Sequence, residues 1–252
     1  HLCDRRQRQM CIRDRIGYSL QNSNTSSIFE SLGADVSHLS YFWLAAPLAG
    51  MIVQPIVGLF SDGTWTRWGR RIPYILGGSL ISALALVLMP NCPKLLAFAP
   101  LAMGAFILLF MDLSFNVTMQ PFRALVADML DDSQKTQGYV VQTFLINLGA
   151  VVGAILPLVM TWLGVSDEAA PGHVSPHIAY SYYAGAILLL TVLVTSFKTR
   201  EYPPGEFARY NNLSEEDAKP VSFVGLMRNV PGVMVRLGVT QFFSWAALFL
   251  MW

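Results

Sequence analysis

The sequence predicts an all-α polytopic membrane protein, a bundle of six helices followed by the start of a seventh. Of the 252 residues, 54% are hydrophobic and 13% are charged, whereas soluble domains carry about 25% charged residues. The apolar residues also come in long blocks without a charge, and about 20 helical residues cross a hydrocarbon core of about 30 Å. A third observation is that basic residues concentrate in every second loop between these blocks.

Four charge-free blocks define complete predicted spans: Leu39–Phe60, Ile72–Met89, Tyr139–Val165 and Ile178–Phe197, of 22, 18, 27 and 20 residues. A fifth apolar run begins at Leu95 and is predicted to be the central helix of the bundle. Ile16–Ser31 is too short and too polar to span alone, so we interpret it as the second half of a first helix. Leu237–Trp252 is apolar up to the last residue and is interpreted as the start of a seventh span.

The chain divides into four predicted parts: a non-native leader at 1–15, a transmembrane bundle with a truncated first helix at 16–197, a cytoplasmic linker at 198–231, and the start of helix 7 of a second bundle at 232–252. The leader contains MCIRDR, which matches the translated end sequence of a transposase-based sequencing adapter, and we exclude it from the reasoning about the fold. The alternative is a basic cytoplasmic tail. The polar linker divides the chain as an inter-domain connection would.

The loop charges predict the orientation. The loops after spans 2, 4 and 6 hold ten Lys and Arg residues, whereas the loops after spans 1, 3 and 5 hold only Lys94. The positive-inside rule therefore places the loops after the even-numbered spans in the cytoplasm. Six spans, a cytoplasmic linker and a new span are the order expected for one half of a two-bundle transporter plus the start of its second half.

Composition and motifs also argue against several classes of protein. Cys3, Cys11 and Cys92 form no CxxC pair and no cluster with histidine, so neither a metal site nor a disulfide framework is predicted. The sequence contains no HExxH or GxSxG motif, which argues against a membrane-embedded enzyme. The net charge of +1 gives no support for nucleic-acid binding, and no cofactor is expected.

One carboxylate interrupts the central apolar run. Asp112 has no basic residue within ten positions on either side, and a charge at membrane depth costs roughly 2.5–3.5 kcal/mol on insertion scales. Asn116 and Gln120 follow at i+4 and i+8, so all three side chains share one face of a helix. We therefore predict that this face lines a cavity and that Asp112 is the proton-coupling group.

Amide side chains on the predicted helices 1, 2, 4 and 5 are the candidates for substrate binding: Gln21, Asn22, Gln54, Asn116, Gln142 and Asn147. Amide, carboxylate and hydroxyl groups bind sugar hydroxyls, and Trp245 is a candidate for the aromatic face against which a sugar ring packs. The alternative for each amide is a hydrogen bond to a neighbouring helix, which is the commoner role of such residues in membranes.

The loop after span 2 carries a charged motif, G-L-F-S-D-G-T-W-T-R-W-G-R-R at residues 58–71. It resembles the G-x-x-x-D-(R/K)-x-G-(R/K) loop between helices 2 and 3 of the major facilitator superfamily, with Gly63 where that family has a basic or polar residue. Charge-assisted bonds at helix ends are strong and breakable. We predict a gating role, without sugar binding, for six charged residues at the cytoplasmic helix ends: Asp62, Arg67, Arg70, Arg71, Arg123 and Asp128.

The run D-L-S-F-N-V-T-M-Q-P-F-R-A-L-V-A-D at residues 112–128, with LQNSNTSSIFESLGA and WGRRIPY, is similar to the glycoside–pentoside–hexuronide cation symporters, especially the plant-type sucrose–proton symporters and their animal and bacterial relatives. That family usually has a third Arg where Ile72 stands. The resemblance implies a carrier in the cell membrane (the inner membrane of a bacterium) that moves a sugar, a disaccharide such as sucrose or maltose, together with a proton.

Two alternatives remain open beside proton-coupled symport: a sodium-coupled glycoside symporter, and a non-transporting sugar sensor or scaffold built on a carrier fold. The sites of such carriers lie between two bundles. These 252 residues contain one bundle and part of the next helix. We therefore expect them not to transport sugar by themselves.

Overall fold

The computed structural model describes residues 2–34, 45–64, 66–130, 132–170, 172–198, 201 and 231–251. It contains seven long helices in this part of the chain: α1 (Leu2–Ser31), α2 (Ala45–Gly63), α3 (Ile72–Leu88), α4 (Pro100–Met129), α5 (Asp132–Trp162), α6 (Pro176–Lys198) and α7 (Gly232–Met251). The described residues form no strand, only one isolated bridge between Thr66 and Gly69. The predicted all-α class is confirmed.

The chain forms two compact units, His1–Leu213 and Ser214–Trp252. The first unit contains α1 to α6. Of the second unit the structure describes the single helix α7, where the sequence predicts the start of a seventh span. The linker predicted at 198–231 lies outside the described residues, apart from Lys198, Glu201 and Pro231.

Within the described residues, four helices are long and apolar enough to cross a membrane: Ile72–Leu95, Pro100–Val126, Gln134–Trp162 and Pro176–Val194. They correspond to α3, α4, α5 and α6. Large apolar side chains on these helices are exposed, including Leu84, Phe106, Phe144 and Ile187. Such exposure is unusual for a soluble surface and is what lipid-facing positions require.

The six helices of the first unit pack as two interchangeable triplets. α1 packs mainly against α5 and α6, α4 packs mainly against α2 and α3, and α3 also packs against α6. Exchanging α1 with α4, α2 with α5 and α3 with α6 turns α1–α5 into α4–α2 and α1–α6 into α4–α3, and it leaves the α3–α6 pair unchanged. This is the pattern expected for the two related three-helix repeats of a major facilitator bundle.

Glycines allow the closest of these crossings. A Cβ atom on Gly149 would lie 2.5 Å from the carbonyl oxygen of Ile12, and a Cβ atom on Gly153 would lie 2.6 Å from that of Ile16. The G-x-x-x-G pattern of α5 therefore packs directly on the backbone of α1, as small-residue motifs do in membranes. Residues 12–15 continue α1 without a break, and their origin as a leader stays a prediction.

The predicted start of the central helix was wrong. Cys92–Leu95 forms a short helical turn of its own after α3, and α4 begins at Pro100, where proline is favoured because its missing N–H is not needed in a first turn. Hydropathy alone does not separate an apolar turn from an apolar span. Asp112 is thus twelve residues into α4, roughly 18 Å from its start and near the middle of the span.

The charged residues between the fourth and fifth apolar runs are mostly helical, because α4 continues to Met129 and α5 begins at Asp132, seven residues before the predicted span at Tyr139. The first turns of α5 contain Gln134, Lys135 and Gln137, which are polar residues with a high helix propensity. Their polarity keeps them out of the hydrocarbon core but does not break a helix. α4 and α5 are consequently joined by a very short connection.

Candidate functional site

Asp112 lies buried at the contact between α4 and α1, with 2% of its surface exposed. Its Oδ1 atom accepts a hydrogen bond from Nε2 of Gln21, which is itself fully buried. Oδ2 of Asp112 and Oε1 of Gln21 have no hydrogen-bond partner in the described part of the chain. Among the described residues, no lysine, arginine or histidine forms an ion pair with Asp112.

Three amides extend the polar face from Asp112 along α4. Asn116 donates from Nδ2 to the carbonyl oxygen of Asp112 at 2.8 Å. Gln54 on α2 donates from Nε2 to Oδ1 of Asn116 at 2.5 Å and accepts at Oε1 from Nε2 of Gln120 at 2.7 Å. One glutamine thus bridges two residues that lie one turn apart on α4, and the predicted common face of Asp112, Asn116 and Gln120 exists in the structure.

Gly50 lets α2 approach this face closely. A Cβ atom at residue 50 would lie 3.3 Å from Oδ1 of Asn116 and 3.4 Å from Nε2 of Gln54, the two atoms that hydrogen-bond to each other. At Gly58, two turns further along α2, no described residue lies within 4 Å of the corresponding point. The tight contact of α2 therefore lies where the amides meet.

The other predicted substrate-binding residues do not join these amides. Asn22 is exposed on α1, and Asn147 is exposed and donates to the carbonyl oxygen of Thr143 in its own helix at 2.8 Å. Gln142 is 5% exposed, and its Nε2 group has no partner among the described residues. The side chain of Trp245 lies outside the described residues. The binding roles of all these residues stay predictions.

Four of the six predicted gating residues meet at one end of the bundle and form what we call the charged cluster, Asp62, Arg70, Arg71 and Asp128. Asp128 at the end of α4 accepts from Arg70 at 2.6 Å and from Arg71 at 3.0 Å. Asp62 on α2 pairs with Arg71 at 2.5 Å and lies 4.0 Å from Arg70. Two arginines at the start of α3 therefore join the ends of α2 and α4.

Arg67 and Arg123 lie apart from the charged cluster. Arg67 is exposed, and its guanidinium lies over the ring of Trp68, 5.0 Å from the centroid. Arg123 is exposed on α4, and in the described part of the chain it forms no ion pair. Their predicted gating roles are not tested by this geometry.

Two residues at this end were missed by the sequence reasoning. Ser61 is buried and accepts a hydrogen bond from Nη1 of Arg71 at 2.7 Å. Glu201, just beyond α6, accepts hydrogen bonds from the backbone N–H groups of residues 70, 71 and 72. The motif letters contain Ser61, so its position beside Asp62 was a usable signal. Glu201 has no local signal, because its partners are 129 to 131 residues away in the chain.

Comparisons with known proteins agree with this architecture. The family described as MFS/sugar transport protein matches residues 28–250. The chain belongs to this family. It is consequently part of a multi-pass membrane protein, in a family of transporters rather than of enzymes.

Individual relatives carry names of sugar carriers. The chain is 36% identical over 129 residues to the sucrose transport protein SUT1 of Oryza sativa subsp. japonica, and the aligned residues make up 45% of this chain and 24% of the relative. It is 29% identical over 155 residues to the sucrose transport protein SUC3 of Arabidopsis thaliana, where the aligned residues make up 55% of this chain and 26% of the relative. A general alpha-glucoside permease of Schizosaccharomyces pombe is 26% identical over 240 residues, covering 87% and 41%. The chain thus spans between a quarter and a half of the length of such relatives.

Proposed function

We propose that this chain forms part of a carrier that moves a sugar of the disaccharide class across the cell membrane together with a proton, by alternating access. The family and the named sugar carriers among its relatives support the transport of sugar. The proton coupling rests on one observation, the geometry of Asp112. The substrate class rests on the relatives and on the type of side chains around that carboxyl.

Asp112 has the properties that a proton carrier needs. It is buried in mid-span, one oxygen is held by Gln21 of another helix, and the other oxygen has no partner among the described residues. Intramembrane carboxyl groups in this situation mark ion and proton pathways. A proton on Oδ2 makes the group neutral, and its loss restores the charge, so one residue can load and release one proton in each cycle.

The amides beside Asp112 are suited to a sugar. Gln54 and Asn116 use one donor and one acceptor for each other, and each amide has two N–H groups and two lone pairs, so further bonding capacity remains. Asn116 also donates to the backbone oxygen of Asp112. A sugar hydroxyl bonded to Asn116 would therefore be one hydrogen bond away from the residue that takes up the proton. This linkage is the proposed basis of coupling.

Sodium is the second candidate for the coupling ion, and one observation favours it. Oδ2 of Asp112 and Oε1 of Gln21 are both buried oxygens without a partner in the described residues. Hard cations are bound by carboxylate and amide oxygens of this kind. The two ions are distinguished by the gradient that drives uptake.

The test is uptake by the complete coding sequence in a host that lacks disaccharide carriers. Labelled sucrose, maltose and a β-linked disaccharide are offered with an imposed proton gradient or with an imposed sodium gradient. We expect saturable uptake that the proton gradient drives and a proton uncoupler abolishes. Uptake driven by the sodium gradient alone would show that the coupling ion is sodium and not the proton. Sugar binding without any uptake would support the sensor alternative.

The charged cluster is proposed to stabilise the state that is closed toward the cytoplasm. Replacing Arg71 by Ala removes the bonds to Asp62, Asp128 and Ser61. We expect sugar turnover to fall about tenfold, since loss of a charge-assisted network costs on the order of 1.5–3 kcal/mol per bond before compensation. The sugar affinity is expected to stay within about threefold, because the hydrogen bonds and ion pairs of the cluster described above do not include the amides around Asp112.

The matched control is Lys94→Ala, which removes a basic side chain from an exposed position in the turn after α3, away from every predicted gating residue. Turnover and affinity are measured separately, from the initial rate of exchange and from equilibrium binding to purified protein. A large loss of equilibrium binding in folded Arg71→Ala protein would assign the cluster to the binding site instead.

A further inference from the structure

The start of α3 is held by one carboxylate from a distant part of the chain. Glu201 accepts from the backbone N–H of Arg70 at 2.7 Å, and from those of Arg71 and Ile72 at 2.8 Å each. The first N–H groups of a helix have no acceptor within the helix and form the positive end of its dipole. Glu201 binds the N–H groups of the N-cap residue Arg71 and of the first helical residue Ile72, together with the N–H of Arg70 just before the helix. It is therefore a strong contact between the end of α6 and the start of α3.

The same contact fixes the backbone of the two arginines of the charged cluster. Arg70 and Arg71 bond to Glu201 through their backbone and to Asp128 through their guanidinium groups. Glu201 and Asp128 therefore hold opposite ends of the same two residues. A displacement of the backbone at residues 70–72 would move both guanidinium groups relative to Asp62 and Asp128.

Gly69 is an independent sign that this contact is built into the loop. Its φ angle is +115°, a conformation that side-chain-bearing residues rarely adopt. A Cβ atom at this position would also lie 2.7 Å from Cδ and 2.9 Å from Oε1 of Glu201. The glycine is thus required by the turn and by the approach of the carboxylate.

We infer that Glu201 is a positioning residue of the gate: it holds Arg70 and Arg71 where they pair with Asp62 and Asp128, and it ties the chain that follows α6 to that gate. This inference rests on the proposed function of the charged cluster for its effect on transport. It goes beyond that function by adding a residue from outside the motif and by linking the α6 end to the state of the cluster.

A double-mutant cycle in the complete coding sequence tests the effect on transport. Glu201→Gln removes the charge from the acceptor, and we expect it to slow sugar turnover about fivefold while the sugar Kd stays within about twofold. The variant that combines Glu201→Gln with Asp128→Asn is expected to be no slower than Asp128→Asn alone, because both changes disturb the same two arginines. Glu168→Gln, an exposed glutamate in another loop, is the matched control.

Additive effects of the two changes would overturn the inference, because a residue that only supports the fold acts independently of Asp128. Unchanged turnover per folded molecule in Glu201→Gln would overturn it as well. Gly69→Ala disturbs the same contact from the other side, because the added Cβ atom displaces the carboxylate of Glu201. The variant that combines Gly69→Ala with Glu201→Gln should therefore be no slower than the slower of the two single variants.

Hydrogen exchange of the purified protein tests the contact without any transport. The amides of residues 70–72 are expected to exchange about tenfold faster in Glu201→Gln than in the wild type, while amides of α5 are unchanged. Equal exchange rates would refute the positioning role. If the wild type moves no sugar and these amides still respond, the proposed function fails and the positioning of Arg70 and Arg71 by Glu201 stands.

Discussion

Replacing Asp112 by Asn is expected to abolish uphill accumulation of sugar and to leave exchange of labelled sugar across the membrane intact. Asparagine has the same shape and still accepts the hydrogen bond from Gln21, but it takes up no proton. A membrane potential of 100 mV supplies about 2.3 kcal/mol per transferred charge, which is enough for roughly fiftyfold accumulation of a neutral sugar. The accumulation ratio should fall from roughly this value to about one.

Accumulation and exchange are measured in the same cells or vesicles, with the uncoupler as a reference for the fully dissipated state. Asp167→Asn is the control, since it makes the same chemical change at an exposed position in the loop before α6. Uphill uptake that survives in Asp112→Asn and remains sensitive to the uncoupler would show that another group carries the proton.

The second large effect is expected from Gly78→Ala at the crossing of α3 and α4. A Cβ atom at residue 78 would lie 2.2 Å from Oγ1 of Thr118 and 2.9 Å from the backbone oxygen of Ser114. The threonine side chain can rotate, but the backbone oxygen moves only if α4 moves. Overpacking of this kind costs typically about 1–3 kcal/mol, so we expect a clear loss of thermal stability in detergent and of folded protein in the membrane.

Gly77→Ala is the control one residue away. Gly77 is exposed, and no described residue lies within 4 Å of the position that a Cβ atom would take there. Alanine there is expected to be neutral or to stabilise the helix by up to about 1 kcal/mol. Equal melting temperatures of the two alanine variants would contradict the α3–α4 packing described above.

Helices were predictable because their signal is local. Charge-free blocks identified α3 and α6 to within two residues at each end. The boundaries of α4 and α5 were less predictable. The apolar turn at Cys92–Leu95 has the hydropathy of a membrane span, and the residues after Met129 have the polarity of a loop. Hydropathy indicates which residues face lipid, whereas the ends of a helix are determined by its backbone hydrogen bonds.

The site was predictable where one helix carries it. The i, i+4, i+8 spacing was enough to place Asp112, Asn116 and Gln120 on one face, since helical geometry requires it. Which amides from other helices reach this face depends on tertiary packing, and the structure brings Gln21 and Gln54 there but not Asn147. The motif likewise predicted Arg70 and Arg71 at the charged cluster, whereas Glu201 is placed only by the fold.

The interchange of the two helix triplets bears on how the protein is inserted during synthesis. Each triplet has an odd number of helices, so the second begins on the opposite side of the bilayer from the first. Turning the whole bundle upside down keeps every contact between its helices, and the interchange of the triplets gives the inverted bundle nearly the same arrangement of helix pairs. Helix packing therefore does not select between the two insertion topologies, and the excess of Lys and Arg in alternate loops remains to select one of them.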